Sequence, residues 1–439
     1  MIKQKNPELI QAGYQDNVTL SDGFSQFSSY LAKFSFFIYL FFLIFGISMP
    51  FQDRATTTAD ISTSNPVNQF VISVLYLISF ISLIPKRHLI IKLINTEKFF
   101  SLFLLWALLS VFWSEDPFLS FKRYVRFFGI VIIFLSVLLH LRSSDESLAY
   151  FKVILSIYIP LTFLAILLIP GATDSTSSAW RGLAWTKNGL GQVSLISLII
   201  WSQVGPSANL KKKIAHVVFW VLSCILLIGS KSFTALLAGV ILVFFACLFF
   251  AYKKIFSPVI GKSGSILFLS LFIVGLYAMI YFFALNHIPY LLDTFGKDST
   301  LTGRLDLWTM VFGETKKHLL TGSGFGGFWV TASTMTDSFY EGFQWLPKTA
   351  HSGYLDVMNE TGVIGLFIFA FMIIYYFVNL SKFGKSLYWT FFIIAALILN
   401  ITESSLFRPR NLSGDLFIFA YLVLFIDILK TRYNFSNTT

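Results

Sequence analysis

The chain has 439 residues, 56% of them hydrophobic and 18% aromatic, with a mean hydropathy of +0.73 and a formal net charge of +11. Apolar runs of roughly 16 to 22 residues recur along the whole length, which excludes a soluble globule and fits membrane-spanning segments. The basic residues are scattered between those runs and form no continuous stripe, so nucleic acid is excluded as a partner.

Barrel strands would be short and alternating, so helices are the spanning element. Residues 1–33 are polar, too long for the leading region of a signal peptide. With Glu8, Asp16 and Asp22 they are also unlike a transit peptide, so a disordered cytoplasmic tail is expected. Twelve spans are predicted: 34–50, 68–85, 99–113, 124–141, 150–170, 189–205, 214–229, 233–252, 264–287, 362–380, 386–401 and 413–429. Nine of them fall within 34–288 and three within 362–430, separated by a long loop at 289–361 and followed by a tail at 431–439. Cys224 and Cys247 lie inside apolar runs and are expected to be buried packing residues, with no disulfide or thiolate metal site.

Lysines and arginines in short loops set the orientation. Lys86, Arg87, Lys92 and Lys98 share one side with Lys211–Lys213, Lys253, Lys254, Lys262, Lys382, Lys385 and both termini. That side is read as cytoplasmic. The opposite side carries the 289–361 loop, and segments of that length usually bear function. It also carries cations that oppose the orientation signal: Arg123, Arg126, Arg181, Lys187, Lys231, Arg304, Arg408 and Arg410. Any one of these can be snorkelling to lipid headgroups. As a set they suit an anionic ligand, because the guanidinium fork matches phosphate oxygens.

Within the long loop, Leu305, Leu307, Trp308, Val311, Phe312 and Leu319 recur at helical spacing, predicting a surface helix over 304–320. Gly322, Gly324 and Gly327 spell a dinucleotide fingerprint, but no strand precedes them, so a tight turn is expected. His351 and Ser352 stand just before Gly362-Val363-Ile364-Gly365, at the point where the loop enters a span. A histidine titrates near neutral pH and can move protons there. If 351–361 starts helical, Ser352, Leu355 and Asp356 lie within a turn of it. The outer carboxylates Glu115, Asp116, Asp298, Asp306 and Glu341 are spread out with no Asp-x-Asp pair, so no metal or other cofactor is expected.

Several short motifs occur in order over about residues 113–365. They are Trp113-Ser114-Glu115-Asp116-Pro117, Trp180-Arg181-Gly182 with Lys187-Asn188-Gly189-Leu190-Gly191, and Ser230-Lys231-Ser232 with Ala235. Gly303-Arg304-Leu305-Asp306-Leu307-Trp308, Gly322–Gly326 and the His351-Ser352 element follow. The ordered set resembles the bacterial O-antigen ligase and O-antigen polymerase superfamily. That resemblance implies an all-α integral membrane protein similar to the large membrane-embedded glycosyltransferases, with about twelve transmembrane helices and one long periplasmic loop carrying amphipathic helices. It implies an inner-membrane enzyme facing the periplasm that takes a glycan from undecaprenyl diphosphate by a metal-independent, inverting transfer. The acceptor would be another lipid-linked repeat unit, in a polymerase served by a chain-length regulator, or the lipid A core, in a ligase. The reading leans to polymerase. The family's histidine maps to His351, as general base, and its loop arginines to Arg181 and Arg304, stabilising the diphosphate. Arg123, Arg126, Lys187, Asn188, Lys231, Ser352 and Arg408 are expected to bind substrate. A lipid-linked glycan flippase, gripping the same diphosphate without chemistry, is the alternative of another class.

Overall fold

A computed structural model describes residues 7–46, 66–174, 177–205, 208–255, 304–329, 347–383 and 387–433. The helices in chain order are α1 (Pro7–Phe45), α2 (Pro66–Leu83), α3 (Arg87–Thr96), α4 (Phe99–Ser110), α5 (Pro117–His140), α6 (Ser147–Leu168) and α7 (Lys187–Ser202). After these come α8 (Leu210–Gly229), α9 (Phe233–Ile255), α10 (Arg304–Thr315), α11 (Gly353–Phe383), α12 (Leu387–Leu399) and α13 (Leu412–Arg432). The protein is an all-α integral membrane protein. Among the described residues, seven helical stretches are long and apolar enough to cross a bilayer, and Phe99–Trp113, Phe233–Cys247 and Tyr388–Leu399 are shorter apolar helices. The span predicted at 264–287 lies outside the described residues, as do most of the loop from 289 and the tail from 434.

The bundle is built around α13, which is buried on every side and packs against α3, α5, α7, α11 and α12. A helix apolar all round has no solvent face to offer, so it takes the centre. Phe36, Phe134, Phe151 and Trp389 close on Phe419 of α13, with ring centroids 5.2–6.0 Å apart. Buried serine hydroxyls link neighbours: Ser35 with Ser79 at 2.8 Å, Ser82 with Ser136 at 2.6 Å, and Ser197 with Ser223 at 2.7 Å. In membrane bundles, where hydrophobicity does not drive helices together, each such bond adds about 0.6 kcal/mol.

The structure departs from expectation in three places. The polar start is helical rather than disordered from Pro7 on, because α1 runs unbroken into its apolar stretch. Proline suits a first helical position, and extending an established helix is far easier than nucleating one. Cys247 is exposed rather than buried, since a residue in an apolar run can face lipid as readily as protein. The surface helix ends at Thr315, and a 3-10 turn covers Lys316–His318.

The two ends of the bundle differ. At one, Lys430 donates to the Leu138 and Leu141 carbonyls (2.8 and 2.6 Å), and Lys152 reaches Gln203 and His216. At the other end meet the starts of α5, α7 and α9, the start of α11, helix α10 and the α12–α13 loop. The candidate site is there.

Candidate functional site

Its frame is a break in α11. Gly362 has φ 70° and ψ −175°, so residues 353–361 form a separate short helix ahead of the spanning part. The two helix starts need partners for their free N–H groups. Val363 and Ile364 donate to the carbonyls of Leu319 and Leu320 at 2.9 and 3.3 Å, which seats the break on the turn that follows the surface helix. The Gly322–Gly327 stretch is a turn, with φ of 71°, 94° and 66° at Gly322, Gly324 and Gly326. It wedges between α4, α5 and the short helix. Phe325 N–H donates to Ser110 Oγ (2.9 Å), Ser120 Oγ donates to the Phe325 carbonyl (2.6 Å), and Gly326 N–H donates to Glu360 Oε2 (3.0 Å).

His351 lies immediately before the short helix in the left-handed region, at φ 49°. A non-glycine residue there carries strain of order 1–3 kcal/mol and persists only where its surroundings fix it. Here they fix both sides. Ala350 donates to Asp356 Oδ1 (3.2 Å), and its carbonyl accepts from Trp308 Nε1 (2.7 Å). Gly353 N–H donates to the carbonyls of Asn400 and Glu403, both at 2.9 Å. Asp356, one turn along, also accepts from Trp329 Nε1 at 2.8 Å. Burial pushes the His351 imidazole below the ordinary value near 6.5, and Arg304 and Arg408 push the same way while Asp356 opposes them. The group is therefore neutral at physiological pH.

Two ion-pair groups flank it. Arg304, the first residue of α10, lies 3.5 Å from Glu403. Glu403 Oε1 also accepts from Asn188 Nδ2 (2.8 Å), and Asn188 Oδ1 accepts from Ser232 Oγ (3.1 Å), so α7, α9, α10 and the α12–α13 loop are tied together. On the other flank Arg408 bridges Asp356 (3.2 Å) and Glu360 (3.0 Å). Burial works against the charge on Arg408, but the two carboxylates outweigh it and hold its pKa above the ordinary arginine value. Arg123 donates to the carbonyls of Gly326 and, at 3.0 Å, Trp329.

Of the residues singled out in the sequence, His351, Arg304 and Arg408 are electrostatic neighbours, with Asn188 reached through Glu403 and Arg123 through the glycine turn. Ser352 is buried beside His351. Arg181 pairs with Asp174 of its own loop, and no contact between it and His351 occurs among the described residues. Its loop is nonetheless seated on the α8–α9 turn: Trp180 N–H donates to the Gly229 carbonyl (2.8 Å), and Lys231 Nζ to the Ser177 carbonyl (2.9 Å). Lys187 is the half-buried first residue of α7, and Arg126 lies near Arg410.

Glu360 and Glu403 were not found from sequence, although they neutralise Arg408 and Arg304. Glu360 had a signal, standing four residues after Asp356 and so on the same helical face. Glu403 had none, because it meets Arg304 across 99 positions only when the chain is folded. Of the outer carboxylates counted from sequence, Asp116 caps α5 through Leu119 N–H (2.9 Å) and Asp306 is exposed. Asp298 and Glu341 lie outside the described residues.

A family model described as O-Antigen ligase matches residues 217–370, from within α8 through His351 and past the Gly362 break. The chain is also 24% identical over 290 residues to the Exopolysaccharide production protein ExoQ of Rhizobium meliloti (strain 1021). Both matches support the O-antigen ligase and polymerase superfamily. The second alignment covers 62% of this chain and 62% of the relative, so the chain spans less than two thirds of that protein's length. Arg181, Glu403 and Arg408 all lie outside the family-model match.

Proposed function

We propose that the protein transfers a glycan from undecaprenyl diphosphate to an acceptor sugar hydroxyl during surface polysaccharide synthesis, on the periplasmic side of a bacterial inner membrane. The acceptor hydroxyl attacks the anomeric carbon, the bond from that carbon to the diphosphate oxygen breaks, and the proton passes to the neutral His351 imidazole. General-base help of this kind contributes about 10²–10⁴-fold. Arg304 and Arg181, aided by Arg408, Arg123 and Lys187, neutralise the charge growing on the leaving diphosphate as fixed donors, with no metal ion needed. A single displacement gives inversion at that carbon. The observation that carries this reading is His351, left-handed in backbone and half-buried at the start of the short helix, where burial and the charges of Arg304 and Arg408 favour its neutral form.

The superfamily match and the name of the exopolysaccharide relative support a role in polysaccharide assembly. Within that role we infer a polymerase of repeat units ahead of a ligase. The test is purified protein in lipid nanodiscs with an undecaprenyl-diphosphate-linked repeat unit. Longer lipid-linked glycans are expected from the native chain, and none from His351→Ala, Arg304→Ala or Arg181→Ala despite normal folding. Wild-type turnover in both arginine variants removes the diphosphate roles. Transfer only to lipid A core makes the protein a ligase. Inward accumulation of lipid-linked units in a His351→Ala strain, rather than outward accumulation, makes it a flippase.

A further inference from the structure

Arg408 is carried to the site by an unusual piece of backbone. It stands between two left-handed residues that are not glycine, Phe407 at φ 55° and Arg410 at φ 65°. Such residues cost strain and persist only where their surroundings over-determine them. Two separate anchors do that here.

The first is Phe407 itself, 3% exposed, whose ring is sunk into the bundle. It stacks on Phe103 of α4 with centroids 4.1 Å apart and meets Phe127 of α5, Phe369 of α11 and Phe417 of α13 at 5.5–6.2 Å. A ring wedged among four others cannot shift without opening a void. The second anchor is Asp415 in the first turn of α13, 1% exposed. Its Oδ2 accepts from the Arg410 N–H (3.1 Å) and from the Tyr39 hydroxyl of α1 (2.6 Å), while Oδ1 is buried with no hydrogen-bond partner. A carboxylate buried in a membrane bundle is costly and calls for a role. The start of the loop is held as well. Asn400 Oδ1 accepts from the N–H groups of Ser405 (2.8 Å) and Leu406 (3.0 Å), and the Asn400 carbonyl accepts from Gly353, two residues after His351.

Between the two anchors only Arg408 and Pro409 remain. Proline fixes its own φ and restricts the residue before it, so the backbone of Arg408 has little freedom left. Its guanidinium is thereby delivered at one distance to Asp356 and Glu360.

We propose that Phe407 and the Tyr39–Asp415 pair are positioning residues for Arg408, holding its guanidinium in place at the reacting centre. Asp415 acts as a hydrogen-bond acceptor that fixes the loop, and its charge meets no substrate. The inference rests on the role given to Arg408 in the transfer reaction and extends it to residues remote from the chemistry.

The experiment compares Asp415→Asn, Asp415→Ala and Tyr39→Phe by transfer kinetics and by NMR titration of the His351 imidazole. Asn offers Arg410 and Tyr39 the same acceptor, and its amide takes the place of Oδ1, which accepts nothing, so it is expected to keep most of the native kcat. Asp415→Ala is expected to lower kcat roughly 10–10²-fold, as an ångström-scale misplacement does, with KM for the lipid-linked donor almost unchanged. Tyr39→Phe falls between the two. Because the loss runs through Arg408, Asp415→Ala in an Arg408→Lys background should lower kcat by less than about twofold. His351 should protonate at higher pH in Asp415→Ala, where Arg408 moves off, and at the native pH in Asp415→Asn. If Asp415→Ala does not fold, Tyr39→Phe carries the same coupling and titration. An Asn variant as slow as Ala overturns the inference, since charge is then what matters. So does a full effect in the Arg408→Lys background, or a loss in KM alone with the His351 titration unmoved. A native chain that transfers nothing, while its His351 titration still answers to Asp415→Ala, upholds the positioning and removes the transferase reading beneath it.

Discussion

The most exposed link between fold and chemistry is Gly362, and Gly362→Ala tests it. An added Cβ would lie 2.1 Å from the Leu320 carbonyl oxygen, 2.4 Å from its carbon and 2.6 Å from the Thr321 nitrogen. These are backbone atoms, so no side chain can swing aside. The dihedrals, φ 70° with ψ −175°, fall in a region that is essentially glycine's own, at about 1–3 kcal/mol for another residue. Relieving the overlap also means parting Val363 and Ile364 from their carbonyls, at about 0.5–1.5 kcal/mol each. Together these give roughly 2–6 kcal/mol, a large share of a domain's stability. The local cost falls on the short helix that carries Asp356 and Glu360 and follows His351. Thermal unfolding in detergent should show a clear drop, with transfer lost even where the protein remains folded. Gly313→Ala, where a Cβ meets nothing within 4 Å, is the control and should match or slightly exceed the native stability. If Gly362→Ala melts and turns over like the native chain, the break does not position the site.

Transfer should fail on the acid side only below the ordinary histidine range, because burial and Arg304 lower the pKa of His351 and it must be neutral to accept a proton. In Arg304→Gln the His351 imidazole, followed by NMR titration, should protonate at higher pH; an unmoved titration refutes the coupling. Arg408→Met leaves Asp356 and Glu360 buried without their cation and should destabilise by about 3–5 kcal/mol, while Arg408→Met/Asp356→Asn/Glu360→Gln should recover most of it in thermal unfolding. Asn188→Ala removes a donor from Glu403 and an acceptor from Ser232, and should cost about 1–3 kcal/mol; equal melting temperatures would show that the α7–α9 link carries no strain.

Most of the membrane frame could be read along the chain, because a span must be apolar for its full length and its ends must be marked by loops. The apolar run at 99–113 appeared as α4 with its 3-10 turn, shorter than the seven stretches long enough to cross a bilayer, and the glycine run formed the turn expected of it. The polar start misled, since local polarity forbids neither a helix nor its attachment to an apolar one. Near the site, Asp356 was legible because it lies within one turn of His351. Arg304 and Arg408 were named from their position against the orientation signal, but their partners were not.

By itself the sequence determined the solvent this protein lives in, the helical means of crossing it, and the end of the bundle where unusual cations gather. Hydropathy and short-range spacing carry that information, and both act over one or two turns. Only the tertiary structure decided which cation meets which carboxylate. Arg304 reaches Glu403, Arg408 is shared by Asp356 and Glu360, and Arg181 stays with Asp174. Coulomb forces act through space rather than along the chain. Those pairings follow from how α13 gathers the other helices around it and from the single glycine that bends α11.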